Sequence, residues 1–486
     1  MISVTYSGIR RILVSGSVGL AAAGMIACGS DSDSPVGPID PPPPPPSCES
    51  SACSAIISSD ITSDRTLHAD TVYTLSGFIH VANGATLTIQ PGTRIEGDYD
   101  VPGSSLFILR GARIDARGTA DKPIVFTSSR PEGQRMPGDW GGLILVGNGV
   151  LNRASPTILE GSGTGVANPE VNYAGGTDNT DDSGVLQFVR VEFAGYATAP
   201  DAELNSFTFA AVGSGTTVDH LQSMAGLDDS FEFFGGAVDA RYLISYEAGD
   251  DHFDMSEGYQ GRLQYLIAFQ SQRLDPRPAA GSYSSDPQGI ENDGCSGQSC
   301  MDGMESTPFT IPVVANYTLV GTGPGLLDGT AGGIGMVLRR GTGGHYVNGL
   351  LARWPAGAIS LRDDATEQRI AAGDLTVLNQ YLADNGKTFD AGNLDTDANA
   401  IQVADAGTTT ESLFTRFPAT TTASTTAADF DWTPASGAAP ATGGLTTFQG
   451  QLAMLAGTRV QPTSFRGAAS ETGEKWWNGW SIYAIR

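Results

Sequence analysis

The sequence predicts an all-β chain wound into a parallel β-helix, with a C-terminal tail packed on it. Three observations carry this. Between about 56 and 360 there is no long amphipathic helical pattern; short runs of alternating apolar residues are punctuated by Gly, Asn and Asp, as strands and turns are. The runs also repeat in register. Asp228, Asp229, Phe231 and Glu232 recur 22 residues later as Asp250, Asp251, Phe253 and Asp254, and Asn205-Ser206-Phe207-Thr208-Phe209 precedes Asp229-Ser230-Phe231-Glu232-Phe233 by 24. A period of about 20–25 residues with three short strands is what one rung of such a helix needs. Composition agrees: 63 Gly and 27 Pro in 486 residues, with 40% hydrophobic and 16% charged, fits neither a coiled coil nor a helical bundle, yet supplies a core.

The N-terminal elements read as an address. Arg10 and Arg11 precede a mostly apolar stretch from Ile12 to Ala27, a positive region and short hydrophobic region of the secretion-signal kind, too short for a comfortable membrane span. The stretch ends Met25-Ile26-Ala27-Cys28, which resembles a bacterial lipobox with Met where Leu is commoner. That resemblance implies that residues 1–27 are cut away and that Cys28 is lipidated and holds the chain to a membrane. An ordinary cleaved signal with an incidental Cys is the alternative. Residues 28–55 follow as a tether, Ser/Asp-rich and then Pro-rich, with Pro41 to Pro46 consecutive. A proline run is a stiff extended spacer. No Asp follows Cys28 directly, which in lipoproteins of enterobacterial type implies the outer membrane.

Charge and cysteines narrow the partners. Lys plus Arg total 27 against 53 Asp plus Glu, a net charge of −26. A field of that sign repels phosphate backbones and argues against a nucleic-acid partner; cations and neutral glycans remain open. Besides Cys28, the cysteines form two C-x4-C pairs, Cys48/Cys53 and Cys295/Cys300. In an exported protein this spacing favours two loop-closing disulfides. A zinc site built from all four thiolates is the competing reading; the long separation of the pairs and an oxidising compartment weigh against it.

The rungs are expected over 56–365. Gly84–Ile95, Leu106–Leu109, Gly111–Thr119, Pro123–Ser128 and Gly138–Ile144 alternate strand and turn residues, and Leu221, Leu243 and Leu266 should stack as an inner ladder. Strands near 56–80 should cap the first open edge. The motif P-G-T-x-I … A-x-G-T-A-x-x-P-I-x-F-T-S … G-D-W-G-G, read at 91–142, resembles right-handed parallel β-helix surface proteins of bacteria. The strings Gly175-Gly176-Thr177-Asp178, Asp228–Gly236 and Gly249-Asp250-Asp251, with Phe465–Ala468 and Trp477–Trp480, resemble a family of uncharacterised secreted or lipid-anchored proteins of Bacteroidetes type. The resemblance implies a right-handed coil and carries over no catalytic residues.

The acidic register is the main polar feature. Stacked rungs would bring Asp228, Asp229, Glu232, Asp250, Asp251 and Asp254 to about 4.8 Å of their counterparts, where carboxylates repel. A cation would relieve this, and Ca2+ with its six to eight oxygen ligands suits the donor type. The same Asp residues would otherwise cap turn N–H groups. The chain has neither an EF-hand loop nor the G-G-x-G-x-D repeat. A catalytic use would draw on Asp229, Asp250, Asp251 and His252, since paired carboxylates serve hydrolysis at about 5–5.5 or 6.5–9.5 Å. Asp-Asp pairs resemble the polygalacturonase type, but its Asn-Thr-Asp and Arg-Ile-Lys elements are missing, and Arg241 and Arg262 are the basic residues near the acidic rungs. The insertion 271–304 should form a stapled binding loop, with Glu291-Asn292-Asp293-Gly294 as a further oxygen-rich turn. Ser-His-Asp, phosphate-loop and dinucleotide spacings are not present.

Residues 366–486 read as a tail against the C-terminal end of the coil, with short helices near 374–384 and 446–456. Trp476, Trp477 and Trp480 should fix it to the body; an exposed platform for sugars is the sharper alternative. Together these features predict an outer-membrane surface protein that binds glycan or another surface without catalysis, the alternative being a polysaccharide hydrolase or lyase. Replacing Cys28 with Ala should move the protein from the membrane to the soluble fraction, and continued sedimentation with membranes would refute the lipid anchor.

Overall fold

Alternation of apolar and polar residues turns nearly every short run into a strand with one face inward, and each strand finds its partner one rung away. The computed structural model describes residues 53–162, 171–200, 202–327, 330–390, 401–405, 408–418 and 420–486. The signal, Cys28, Cys48 and most of the tether therefore lie outside the described residues. The strands form a 16-stranded and a 9-stranded sheet, and the pairings within both are parallel, as in Phe207–Ala210 with Phe231–Phe234 and Phe231–Phe234 with Phe253–Ser256. A right-handed parallel β-helix results, because parallel neighbours joined by crossovers in one sheet take that hand.

The register read from the sequence holds residue by residue. Phe231 pairs with Phe253 and Glu232 with Asp254, while Leu221, Leu243 and Leu266 are successive partners. Inside, Phe207, Phe231 and Phe253 stack with ring centroids 5.0 and 5.4 Å apart, and Phe209 lies 5.0 Å from Phe233. Residues 56–80 do not cap the coil from outside. They are most of its first rung and the start of its second, with Cys53–Ile57 paired to Thr71–Leu75.

Each long strand of the larger sheet bends at one residue with positive φ. Phe188, His220, Tyr242, Tyr265, Asn316, Asn348 and Asn379 occupy this position in seven successive rungs, with φ between 48° and 66°. The left-handed conformation costs a non-glycine residue about 1–2 kcal/mol. Asn tolerates it best, and the aromatic members offset it by stacking: Phe188 on His220 at 4.3 Å, His220 on Tyr242 at 4.4 Å and Tyr242 on Tyr265 at 5.1 Å. The bend divides each strand into two faces, and the smaller sheet is the third.

The tail does not sit on the C-terminal end of the coil. It runs back along the flank over the bent ridge. Asn379 Nδ2 donates to the Gly443 carbonyl at 2.7 Å, Asn348 Oδ1 accepts from Leu445 N at 2.7 Å, and Asn316 Nδ2 donates to Thr463 Oγ1 at 2.8 Å. Further down, Gln264 and Gln222 exchange paired bonds with the Gln461 and Ile482 backbone. Trp480 meets Phe188 and His220 edge-on, and Trp476 packs on Tyr242. Trp476, Trp477 and Trp480 are 7%, 2% and 1% exposed, so they are fasteners and offer no sugar platform. The outer side of the ridge carries aromatic and amide groups that an end cap would leave unpaired.

Two expected elements differ. Residues 374–384 are a strand, Leu375–Ala383, pairing with Gly344–Val347 and Leu350–Ala352, and Ile401–Asp405 adds another rung. The coil thus runs on past 365. The helix precedes this strand: Asp363 caps Asp364–Ala372 through the Thr366 N–H, and Gly373 ends it at φ 82°. The second expected helix is present as Gly450–Ala456. No helix among the described residues is long and apolar enough to cross a membrane. The Phe231→Ala variant should lose about 3–5 kcal/mol, because its ring is sandwiched in the central stack; a denaturant midpoint close to that of the unaltered chain would disprove the ladder's role.

Candidate functional site

The acidic residues gather because two kinds of position converge at one corner. On the third face, inward Phe alternates with outward polar groups, so Thr208, Glu232, Asp254, Glu291 and Val337 form one outer ladder. The turns leading into these strands, 226–230 and 248–252, stack directly. A Cβ on Gly249 would stand 1.8 Å from the Leu227 carbonyl oxygen; only glycine permits this approach, and it carries Asp250 over Asp228.

The result is a cleft of about 510 Å3 lined by all six acids of the predicted register, by Glu291, and by Ser282 to Asp286 of the long loop. Carboxylate oxygens lie within 4.8 Å of one another in three overlapping trios: Asp228/Asp229/Asp250, Asp229/Glu232/Asp254 and Asp251/Asp254/Glu291. Asp229 and Asp254 each belong to two. At 4.8 Å and an effective dielectric near 20, each charged pair repels by about 3.5 kcal/mol.

Backbone donors answer only part of this. Asp229 Oδ1 accepts the Asp251 N–H at 2.8 Å, Asp251 Oδ1 accepts the Gln288 N–H at 2.5 Å, and Asn205 donates to Glu232. Asp254 Oδ1 is shut off from solvent and accepts nothing. Arg339 is the one basic residue among the described lining, and its pairs go to Asp286 at 3.4 Å, to Asp293 at 2.8 Å and to Glu291. The other end of the cleft is left to its acids.

Burial first, and then neighbouring carboxylates, hold Asp228, Asp229, Glu232 and Asp251 well above the usual carboxylate range. Asp254 and Glu291 are raised by burial and next by Asp293. Asp250 is raised to about 7 by burial, against a hydrogen bond from Ser284 that opposes it.

Other sequence candidates fall elsewhere. His252 is 1% exposed, turned inward with Nδ1 2.5 Å from Ser245 Oγ, and burial lowers its pKa to about 3. It does not line the cleft. Arg241 and Arg262 line a different cleft with Asp219 and Asp239, the Arg262–Asp239 contact being 2.6 Å. Glu291-Asn292-Asp293 is strand, within Gln288–Asp293, because Ile290 takes the inner position beside Phe253. Cys295 and Cys300 are disulfide-bonded, which sets aside the four-thiolate zinc site, and Cys53 is disulfide-bonded as well.

Sequence reasoning missed Glu160, Glu203 and Arg339. The first two arrive on loops outside the repeat. Arg339 stands in register with Asp293, a pairing hidden by the loop that separates Gln288–Asp293 from Ile334–Arg339.

This corner defines a class: a β-helix with an open, polar cleft on the rungs of its coil. The chain belongs to the family of the pectate-lyase-like β-helix domain, whose model matches residues 59–435. It matches no curated protein and no solved structure.

The raised carboxyls set an unusual pH response. A folded state that holds Asp250 near 7, against an ordinary 3.8, binds its proton more tightly than the unfolded chain does. The stabilisation is complete below the unfolded value and is lost as pH rises through about 7. In chelator, melting temperature should therefore rise as pH falls from about 8 to about 5.5; a steady fall over that window would contradict the clustering.

Proposed function

We propose that this chain is an exported, Cys28-anchored surface protein that binds polysaccharide through the acidic cleft, with Ca2+ held between the carboxylates. The observation that carries the reading is the overlap of three carboxylate trios with one arginine on the lining, already paired. Ca2+ lies about 2.3–2.6 Å from its oxygens, so oxygens within about 5 Å of each other can share one ion. Asp254 Oδ1, buried and unpartnered, supplies a second reason for a cation there. A bound cation would also reverse the local field and let the cleft meet sugar hydroxyls or carboxylates.

Binding is favoured over a lyase because Arg339 is committed to Asp286, Glu291 and Asp293, and His252 faces the interior. Pectate-lyase-like β-helices include the kind of scaffold on which polysaccharide chemistry is named, and one feature supports a hydrolase as the second reading. Asp250, held near 7 among other carboxylates, has the acidity of a general acid.

Calcium at a hundredfold excess over Kd would add about 2.7 kcal/mol to stability and raise the melting temperature. The Asp229→Asn/Asp254→Asn double variant touches every trio and should abolish the rise while keeping the fold. Equal melting curves in calcium and chelator would return the acids to turn capping. A glycan array in calcium, followed by a reducing-end assay on each hit, separates the two readings. Retention without new reducing ends supports binding, release of new ends supports the hydrolase, and no retained glycan overturns both.

A further inference from the structure

A second cleft, of about 340 Å3, has the opposite sign. Arg130, Arg135, Arg273 and Arg486 line it, and Asp275 bears the one acidic side chain among its described lining residues. Four arginines on the lining of one cavity are unexpected in a chain of net charge −26.

Ion pairing explains their positions only in part. Arg135 is 7% exposed; Glu132, itself 83% exposed, stands 3.9 Å away, and Glu192 and Glu96 act on it from farther off. Its Nε donates to the Arg130 carbonyl at 3.0 Å. Arg130 lies over the Tyr99 ring at 4.7 Å and stands 4.0 Å from Asp139. Arg273 lies over Tyr283 at 5.5 Å and donates to the Ser284 carbonyl at 2.7 Å. Aromatic faces and carbonyls thus orient the forks, and among the described residues only Arg130 and Arg135 of the four have a carboxylate within 4.0 Å. Burial, and next the charge of Arg94, lower the pKa of Arg135, against the opposing pull of Glu192, Glu132 and Glu96.

We propose that this cleft is an oxyanion site for an acidic organic ligand, of the class of sugar acids, sugar sulfates and sugar phosphates. Guanidinium forks match carboxylate, sulfate and phosphate oxygens in bidentate geometry. The cavity is in the size range of small-ligand sites, and Met136, Leu274 and Ile485 add apolar surface that a bare ion would not use. The site is independent of the cation reading above, although one loop borders both clefts, giving Gln272 to Asp275 here and Ser282 to Asp286 there.

Calorimetric titration of the full chain tests this with glucuronate, a monosulfated hexose, a hexose phosphate, inorganic sulfate, inorganic phosphate and neutral glucose. At least one acidic sugar should bind about tenfold more tightly than the inorganic ion of like charge, and glucose should not bind. The Arg130→Gln/Arg273→Gln variant should weaken that binding at least tenfold. Arg486→Gln, at an exposed side chain, should weaken it severalfold with an unchanged melting midpoint, which guards against misfolding of the double variant. The proposal is overturned if no acidic sugar binds, if the inorganic ions bind as tightly, or if Arg486→Gln binds as the unaltered chain does. Because calcium is absent throughout, failure here leaves the acidic cleft unaffected.

Discussion

A single left-handed residue in the middle of each long strand is the constraint on which the rest of the structure depends. It occurs at Phe188, His220, Tyr242, Tyr265, Asn316, Asn348 and Asn379, one rung above another. Because the strain recurs at the same place in these seven rungs, the partners that offset it recur too, as an aromatic stack that passes into a row of amides. The bend makes the cross-section three-sided without a loop. It also leaves a ridge of rings and amides facing outward, and that ridge selects the path of the tail. Asn316, Asn348 and Asn379 hold the tail backbone at the upper rungs, while Gln264 and Gln222 hold it lower down.

The same regularity concentrates charge. A coil that stacks identical rungs cannot place one outward acid without placing its counterparts beside it, and Glu232, Asp254 and Glu291 follow one another for that reason. In most cores a cluster of this kind would be replaced by paired or apolar residues, since burial raises the energy of every unpaired charge. Here the pairing stops at Arg339, at one end of the cleft. The loop 271–287 interrupts the coil between two such places, with carboxylates along one side and guanidinium groups along the other. Charge of both signs is therefore held apart by covalent connection within one short segment.

The coil and the acidic register were legible because both depend on local period. Phe231, Phe253 and their neighbours repeat at a spacing that no helix would produce, and Gly226 and Gly249 mark turns that must stack. Reading failed where the period was broken or where propensity misled. Leu375–Ala383 has residues that a helix would accept, but the free edge of Gly344–Val347 and Leu350–Ala352 draws it into the sheet. His252 sits beside Asp251 in sequence, yet the turn before Phe253–Ser256 sends His252 to Ser245 while Asp251 lines the cleft.

By itself the sequence determined the β-helix, its register from Asn205 to Leu266, and which acids would share a corner. Each of these follows from spacing along the chain, which one rung transmits to the next through backbone hydrogen bonds. Only the tertiary structure decided the lateral path of the tail, the inward turn of His252, the pairing of Arg339 and the arginine cleft. Those depend on residues that are distant in sequence and approach at no fixed interval: Arg135 and Arg273 line one cleft, and Trp480 meets Phe188, across loops and folds whose lengths obey no period.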